Sequence, residues 1–262
     1  MNALLAPARA TVAHTKAALV AFWGSVAAAL WALSPHDTLP SPREVVRALG
    51  ELWAHEGMGP ELLQTLLLIA QATVLTAVVS LVLAYASVLP AFRPMVLGLT
   101  KLRFLSLTGL VVPLTLMTGG GAALKLALLT FGMAAFYLTA MARIVAEIPE
   151  AELDHMRVLG ASNARIVWEV VVRGTLDRAL DTLRQNVAMG WSMITMVEGI
   201  SRAEGGIGAL LLDEHKHFRL AHVYALLAVV LVVGLVIDAS MGLLAQLACP
   251  HLRAASERND AS

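Results

Sequence analysis

Glu198 stands next to last in the stretch LRQNVAMGWSMITMVEG, most of which reads as the inside of a helix bundle. Trp191, Thr195 and Glu198 fall at i, i+4 and i+7, so one helix face carries an indole N–H, a hydroxyl and a carboxyl. An ionisable group in such a run either marks a pathway for a solute or is satisfied by a neighbouring helix. Asp238, in a second apolar run, reads as a helix–helix hydrogen bond. A further cluster is DEHKHFRLAH, with Asp213, Glu214, His215, His217 and His222. These are metal-ligand types, and His215 with His217 could chelate a divalent ion. A solvated loop carries the same residues without any chemistry, and no metal site is assigned. GGGAALK at 119–125 lacks the GxxxxGK[ST] spacing of a phosphate loop. No other nucleotide-binding signature occurs, so the chain itself takes no cofactor; if ATP is used, another chain binds it with its magnesium.

The elements that must position these residues are set by the solvent. The chain has 262 residues, 58% hydrophobic and 15% charged, with mean hydropathy +0.73. A soluble domain is about 25% charged, so most of this chain is dissolved in lipid, and membrane lipid is its first partner. Acidic and basic residues balance at 19 each, which gives no attraction to a nucleic acid. The single cysteine, Cys249, excludes an internal disulfide and a thiolate metal cluster.

Charge-free runs occupy 17–35, 62–92, 104–124, 126–142, 185–197 and 220–237. About 20 apolar residues cross a bilayer core. Six transmembrane helices are therefore expected, at 17–33, 62–88, 97–118, 123–142, 184–202 and 221–247, with Lys125 snorkelling at the membrane edge. The fold class is an all-α, polytopic membrane protein, a single transmembrane domain over 1–262. The first run is read as a retained signal anchor, because it is longer than the apolar core of a signal peptide and five more runs follow. With the N-terminus inside, 13 of the 19 Lys and Arg fall on the inner side, which favours N- and C-termini in the cytoplasm. Pro113 is expected to kink the third span. Gly119, Gly120 and Gly121 make a tight turn into the fourth. Residues 34–60 form an outer segment in which Val45, Val46, Leu49, Leu52 and Trp53 share a helix face, lying on the membrane or packed on the outer mouth.

The longest inner loop, 143–183, holds AEIPEAELDHMRVLGASNARIVWEVVV. Pro149 with Glu147, Glu150, Glu152 and Asp154 reads as a helix start, since acids favour the positive end of the helix dipole. Leu153, Met156 and Leu159 make an apolar face, Gly160 stops the helix, and Ser162 caps a second one whose Ile166, Val167, Val170 and Val171 face one way. Such an amphipathic helix docks into a groove on another protein, or packs on the membrane or on its own bundle.

IPEAELDHMRVLGASNARIVWEVVV resembles the cytoplasmic EAA loop of ABC importer permeases, whose coupling helix enters a cleft of the ATPase subunit. LPSPREVVRAL at 39–49, LRQNVAMGWSMITMVEG at 183–199 and GGIGALLLDEHKHFRLAHVYALL at 205–227 are similar to segments of the nitrate/taurine/aliphatic-sulfonate branch. The resemblance implies a type I importer permease-like fold in a bacterial inner membrane. It implies two ATPase subunits, an external or periplasmic substrate-binding protein, and a second permease chain, as homodimer or heterodimer. The chain is then no enzyme but the permease that moves a small solute across the inner membrane. Carried over by position, ATPase coupling falls to Glu150, Asp154, Met156, Arg157, Leu159, Gly160 and Ala161, and the translocation pathway to Trp191, Thr195 and Glu198. Asp154-His155-Met156 replaces Glu-Ala-Ala, and Arg173 and Phe136 stand where prolines are usual. The alternative is an ion-coupled secondary transporter, for which Glu198 and Asp238 are the available relay groups. A membrane enzyme would need clustered reactive groups at one depth, and all eight histidines lie outside the span cores.

Overall fold

The computed structural model describes residues 13–32 and 39–248. The described chain is helical, and each break has a local cause. The first helix, α1, runs Ala13–Ala32; position 33 of the expected first span lies outside the described residues. The next, α2, Pro42–Ala54, opens on a capping box. The Ser41 hydroxyl accepts from the Glu44 N–H, and the Glu44 carboxylate accepts from the Ser41 N–H at 2.8 Å. Two long helices follow in sequence, α3 over Met58–Ala86 and, further on, α6 over Gly121–Ala146. Between them, α4 (Arg93–Leu99) passes through a 3-10 turn to Phe104, and α5 spans Leu107–Thr118. The rest of the chain is α7 (Glu150–Val158), α8 (Asn163–Ile166), α9 (Leu176–Ile200), α10 (Ile207–Lys216) and α11 (Leu220–Ala248).

Among the described residues, α3, α6 and α11 are long and apolar enough to cross a membrane, and α4 with α5 count as a fourth span if the bent pair is one. This falls short of the six expected. The 25 residues of α9 are long enough, but Asp177, Arg178, Asp181 and Arg184 occupy its first turns. The third span, expected to be kinked, is bent by 113°. Its break is not at Pro113, which lies inside α5, but at Leu105 and Ser106, both with extended backbone. The Pro113 ring follows a run short enough for its lost hydrogen bond to fall within the first two turns. Twelve residues reach only about 18 Å, so α5 alone does not span.

The core is the packing of α3 on α6 and of α9 across both. Ile69, Ala72, Leu124, Leu128, Met133, Val187 and Ile194 interlock in its centre. Gly190 lets α9 approach α6, since a Cβ there would stand 2.6 Å from Met133 Sδ. Near the other ends of these helices Tyr137, Met141 and Ala179 form a second cluster, and the Tyr137 hydroxyl donates to the Ala179 carbonyl at 3.0 Å. Because α3 and α11 begin where α6 begins and α9 ends, the bundle has two distinct ends, one carrying α10 and the other α7.

At the α10 end, α2 packs on the starts of α3, α10 and α11 through Val45, Ala48 and Leu52. This corrects the expected face, because Val46 and Trp53 are exposed. They sit one residue past the i, i+3, i+7 row, about 100° around the helix. Gly119, Gly120 and Gly121 all have positive φ (77°, 89° and 65°), the tight turn that only glycine makes without strain. DEHKHFRLAH is not one loop: Asp213–Lys216 end α10, and His222 lies in the first turn of α11.

Candidate functional site

At the α7 end, α6 stops at Ala146, and Pro149 with extended backbone starts α7. Glu150 and Glu152 fill its first turn, His155 and Arg157 its last, which matches the helix dipole at both ends. The helix closes in a Schellman motif. Gly160 N–H donates to the Arg157 carbonyl at 2.9 Å, and Ala161 N–H reaches back to Met156 at 3.1 Å. Gly160 has φ 75°, the left-handed conformation the motif needs. Ser162 then accepts from Arg165 N–H and starts α8. Instead of one long second helix, Val167–Arg173 winds as a π-helix before Gly174, where a Cβ would collide with the Val170 carbonyl. Ile166 and Val171 are buried as expected, Val167 and Val170 half-buried.

No residue of α7 is fully buried. Leu153 and Met156 are half-buried, and Glu150 and Leu153 line a groove of ≈ 340 Å³ against Pro90, Arg93 and Val145. Asp154 and Arg157 pair at 2.5 Å on the exposed side. At the tip, Leu159 is 67% exposed and Val158 86%. Ala161 is half-buried and Gly160 exposed. Thus all seven residues expected to couple lie on one short, protruding helix and its turn. Val158, more exposed than Leu159, falls between the residues of the Leu153, Met156 and Leu159 stripe.

At the α10 end the charges converge. Glu198 is 1% exposed: it accepts from the Thr65 hydroxyl at 2.6 Å and from Gly208 N–H at 2.7 Å. Thr65 Oγ1 in turn accepts from Ile207 N–H at 2.9 Å, and Glu61 accepts from Gly206 N–H. Lys125 donates to the Gly205 carbonyl at 2.6 Å and is 4% exposed. It is buried rather than set in the interface, held by that carbonyl with the carboxylates of Glu61, Glu198 and Glu204 nearby. A cavity of ≈ 270 Å³ lined by Gln64, Gln71, Lys125, Glu198 and Glu204 lies alongside.

Trp191 donates from Nε1 to the Val230 carbonyl at 2.9 Å and packs on Gly234, where a Cβ would stand 2.8 Å from the indole. Thr195 is half-buried, and its backbone meets Gly208 so closely that a Cβ there would lie 2.5 Å from Thr195 Cα. The expected i, i+4, i+7 face is therefore real and turned toward α3, α10 and α11. Gln185, Ala188, Ser192 and Met196 form the exposed side of α9. Asp238 makes the helix–helix contact expected of it, with Arg184 on α9. His217 Nδ1 lies 2.8 Å from the Asp213 carbonyl, and among the described residues no three His, Cys, Asp or Glu are placed to hold a metal ion.

Long apolar helices packed in one bundle, with charges gathered at its two ends and a capped helix at one of them, are the frame of a multi-pass membrane protein. Residues 62–248 match the family described as binding-protein-dependent transport system inner membrane component, and the chain belongs to that family. It is a multi-pass inner-membrane permease of an ABC importer. Its fold is similar to a chain of the MetNI methionine ABC transporter in an inward-facing conformation, with TM-score 0.60 and 17% identity over 79% of this chain and 96% of that one. No curated protein matches at a comparable level of significance.

Proposed function

We propose that the chain is one of two permease chains in an ATP-driven importer, moving a small solute that an external binding protein delivers. The observation that carries this is the tip of α7. Val158 and Leu159 stand out in water at the end of a helix rigidified by its own Schellman turn. Apolar groups so exposed and so well fixed fit a partner's groove. The partner is the ATPase subunit, two copies per assembly, which binds ATP and magnesium. Met156, Val158 and Leu159 supply apolar contact, Glu150, Asp154 and Arg157 the charged rim, and Gly160 and Ala161 the corner.

The positive-inside count puts α7 and both termini in the cytoplasm and α10 outside. Closure of the ATPase pair then pushes α7 as a rigid body, and the π-helix into α9 carries the motion to the pathway. In this reading Trp191, Thr195 and Glu198 shape the pathway from behind, seating α9 against α10 and α11 while its exposed side faces the solute. Placement in the nitrate/taurine/aliphatic-sulfonate branch is supported by the four similar segments. An ion-coupled mechanism is less well supported, because Asp238 is taken up by Arg184 and Glu198 by Thr65 and Gly208. The test is site-specific photocrosslinking from position 159 in native membranes: an adduct with an ATP-hydrolysing subunit supports the proposal, and adducts with lipid alone oppose it.

A further inference from the structure

We infer that Lys125, with Glu61 and Glu198, is a latch that holds the outer end of the permease closed; this rests on the permease reading above. The three groups come from α6, α3 and α9, and each ends on the backbone of one short stretch, the 205–206 loop and the first turn of α10. Lys125 holds the Gly205 carbonyl, Glu61 holds Gly206 N–H, and Glu198 holds Gly208 N–H. Gly205 and Gly206 have φ of 67° and 102°, and a Cβ on Gly206 would run into the Glu198 carboxyl. The loop therefore fits its clamp only as glycine, and it leads directly into α10, whose first residue, Ile207, is fully buried.

Two features separate this clamp from a plain staple. Ionisable groups inside a membrane bundle are expensive whatever their charge, and apolar packing would hold a fixed contact at lower cost. Arg184 with Asp238 shows the fixed kind: side chain to side chain between two long helices, unable to part unless the helices do. The Lys125 clamp instead grips a short loop by single hydrogen bonds. Beside it lies the ≈ 270 Å³ cavity lined by Gln64 and Gln71. When the loop lifts, Lys125 and Glu198 lose their backbone partners but face the Gln64 and Gln71 amides in that cavity, while Glu61 lines a second cavity with Arg202 and Asp213. That gives two satisfied states, closed and open, which is what a gate needs. A binding protein seated on α10 and the outer turn would pull directly on this loop. Lys125 is thus a positioning residue for transport; it touches the loop, not the solute.

The test uses the assembly copurified with its ATPase, in proteoliposomes, with hydrolysis measured without binding protein and uptake measured with it. Removing one latch bond shifts a two-state balance by roughly two- to tenfold. Lys125→Met is expected to raise unstimulated hydrolysis by that factor while lowering uptake, and Lys125→Arg, which can still donate to Gly205, to return both toward wild type. Lys125→Met/Glu198→Gln, which leaves no unmatched ionisable partner at the clamp, is likewise expected to raise unstimulated hydrolysis and lower uptake, and keeps the test if the single variant assembles poorly. Unchanged hydrolysis and uptake overturn the latch. So does a fall of both activities in step with the amount of assembly, in both variants, which is what a structural role gives. If wild type brings no ATPase, the permease reading itself fails; if it does and the variants match wild type, only the latch fails.

Discussion

Arg184 on α9 and Asp238 on α11 form a two-pronged ion pair, Nε to Oδ1 at 2.7 Å and Nη2 to Oδ2 at 2.6 Å, across 54 residues of sequence. Gly242 leaves room for the guanidinium, since a Cβ there would stand 3.2 Å from Nη1. Planar bidentate geometry fixes both the distance and the rotation of the two helices. Both side chains are part-exposed, but they sit on helices of a membrane protein, so removing one partner leaves a charge there without its counterion, whereas removing both leaves none. Asp238→Leu alone should therefore lower the melting temperature in detergent more than Arg184→Met/Asp238→Leu does. Equal losses would mean that the pair contributes no specific coupling.

The α7 turn is tested at Gly160. A β-branched residue at φ 75° costs about 1–2 kcal/mol, enough to unwind a turn with only two backbone bonds. Gly160→Val should lose uptake and ATPase capture while the protein stays in the membrane. Gly160→Asn, which visits the left-handed region readily, should keep most of both. No Cβ contact lies within 4 Å of Gly160, so crowding within the chain would not explain the difference.

A pH response is expected from the α10 end, outside the membrane spans. Arg219 reaches both Glu56 and, at 3.0 Å, Glu214. One guanidinium cannot neutralise two carboxylates, so the buried one takes the proton. Burial pushes Glu214 up to about 7, helped by the hydrogen bond and charge of Glu56, while Arg219 and Asp213 act in opposite directions. Burial alone would raise Glu56 too, but its bonds to Glu214 and Arg219 bring it below its ordinary value. Because the folded-state pKa of Glu214 is raised above its ordinary value of 4.5, its stabilising contribution is complete below that value and lost as pH rises through about 7. Glu214→Gln should match wild type at pH 4 and melt higher at pH 8. Parallel melting curves across that range would refute the assignment.

Gly208 offers the sharpest packing test. Its absent side chain lets α10 lie directly on the backbone of Thr195. Backbone cannot yield as a side chain can, so Gly208→Ala should displace α10 and abolish uptake. Gly59→Ala, where nothing stands within 4 Å, should be neutral.

Much of this was legible in the sequence where the signal is local. Charge-free runs gave α3, α6 and α11 nearly to their ends, and Gly160 and Ser162 announced the α7 turn, because caps are read within one helical turn. The face of Trp191, Thr195 and Glu198 was legible as a face, but not what it meets. Thr65 lies 133 residues from Glu198, and Gly205 lies 80 from Lys125. Lys125 looked like a membrane-edge residue because its own neighbours are apolar; only the fold brings three carboxylates to it. Pro113 drew attention as the kink, yet the chain turns at Leu105 and Ser106, which carry no breaker residue. On α2, Val46 and Trp53 were put on one face with Val45, Leu49 and Leu52 because five apolar residues in nine positions fit more than one stripe.

The most direct measurement is gentle purification of the tagged chain from its native membrane, wild type beside Val158→Asp/Leu159→Asp. Both changed residues are exposed, so the variant should fold and melt like wild type. The account predicts that wild type brings an ATP-hydrolysing subunit in near-equal amount and that the variant comes without it. A wild-type chain that emerges alone and stable, or a variant that still holds the ATPase, would contradict it.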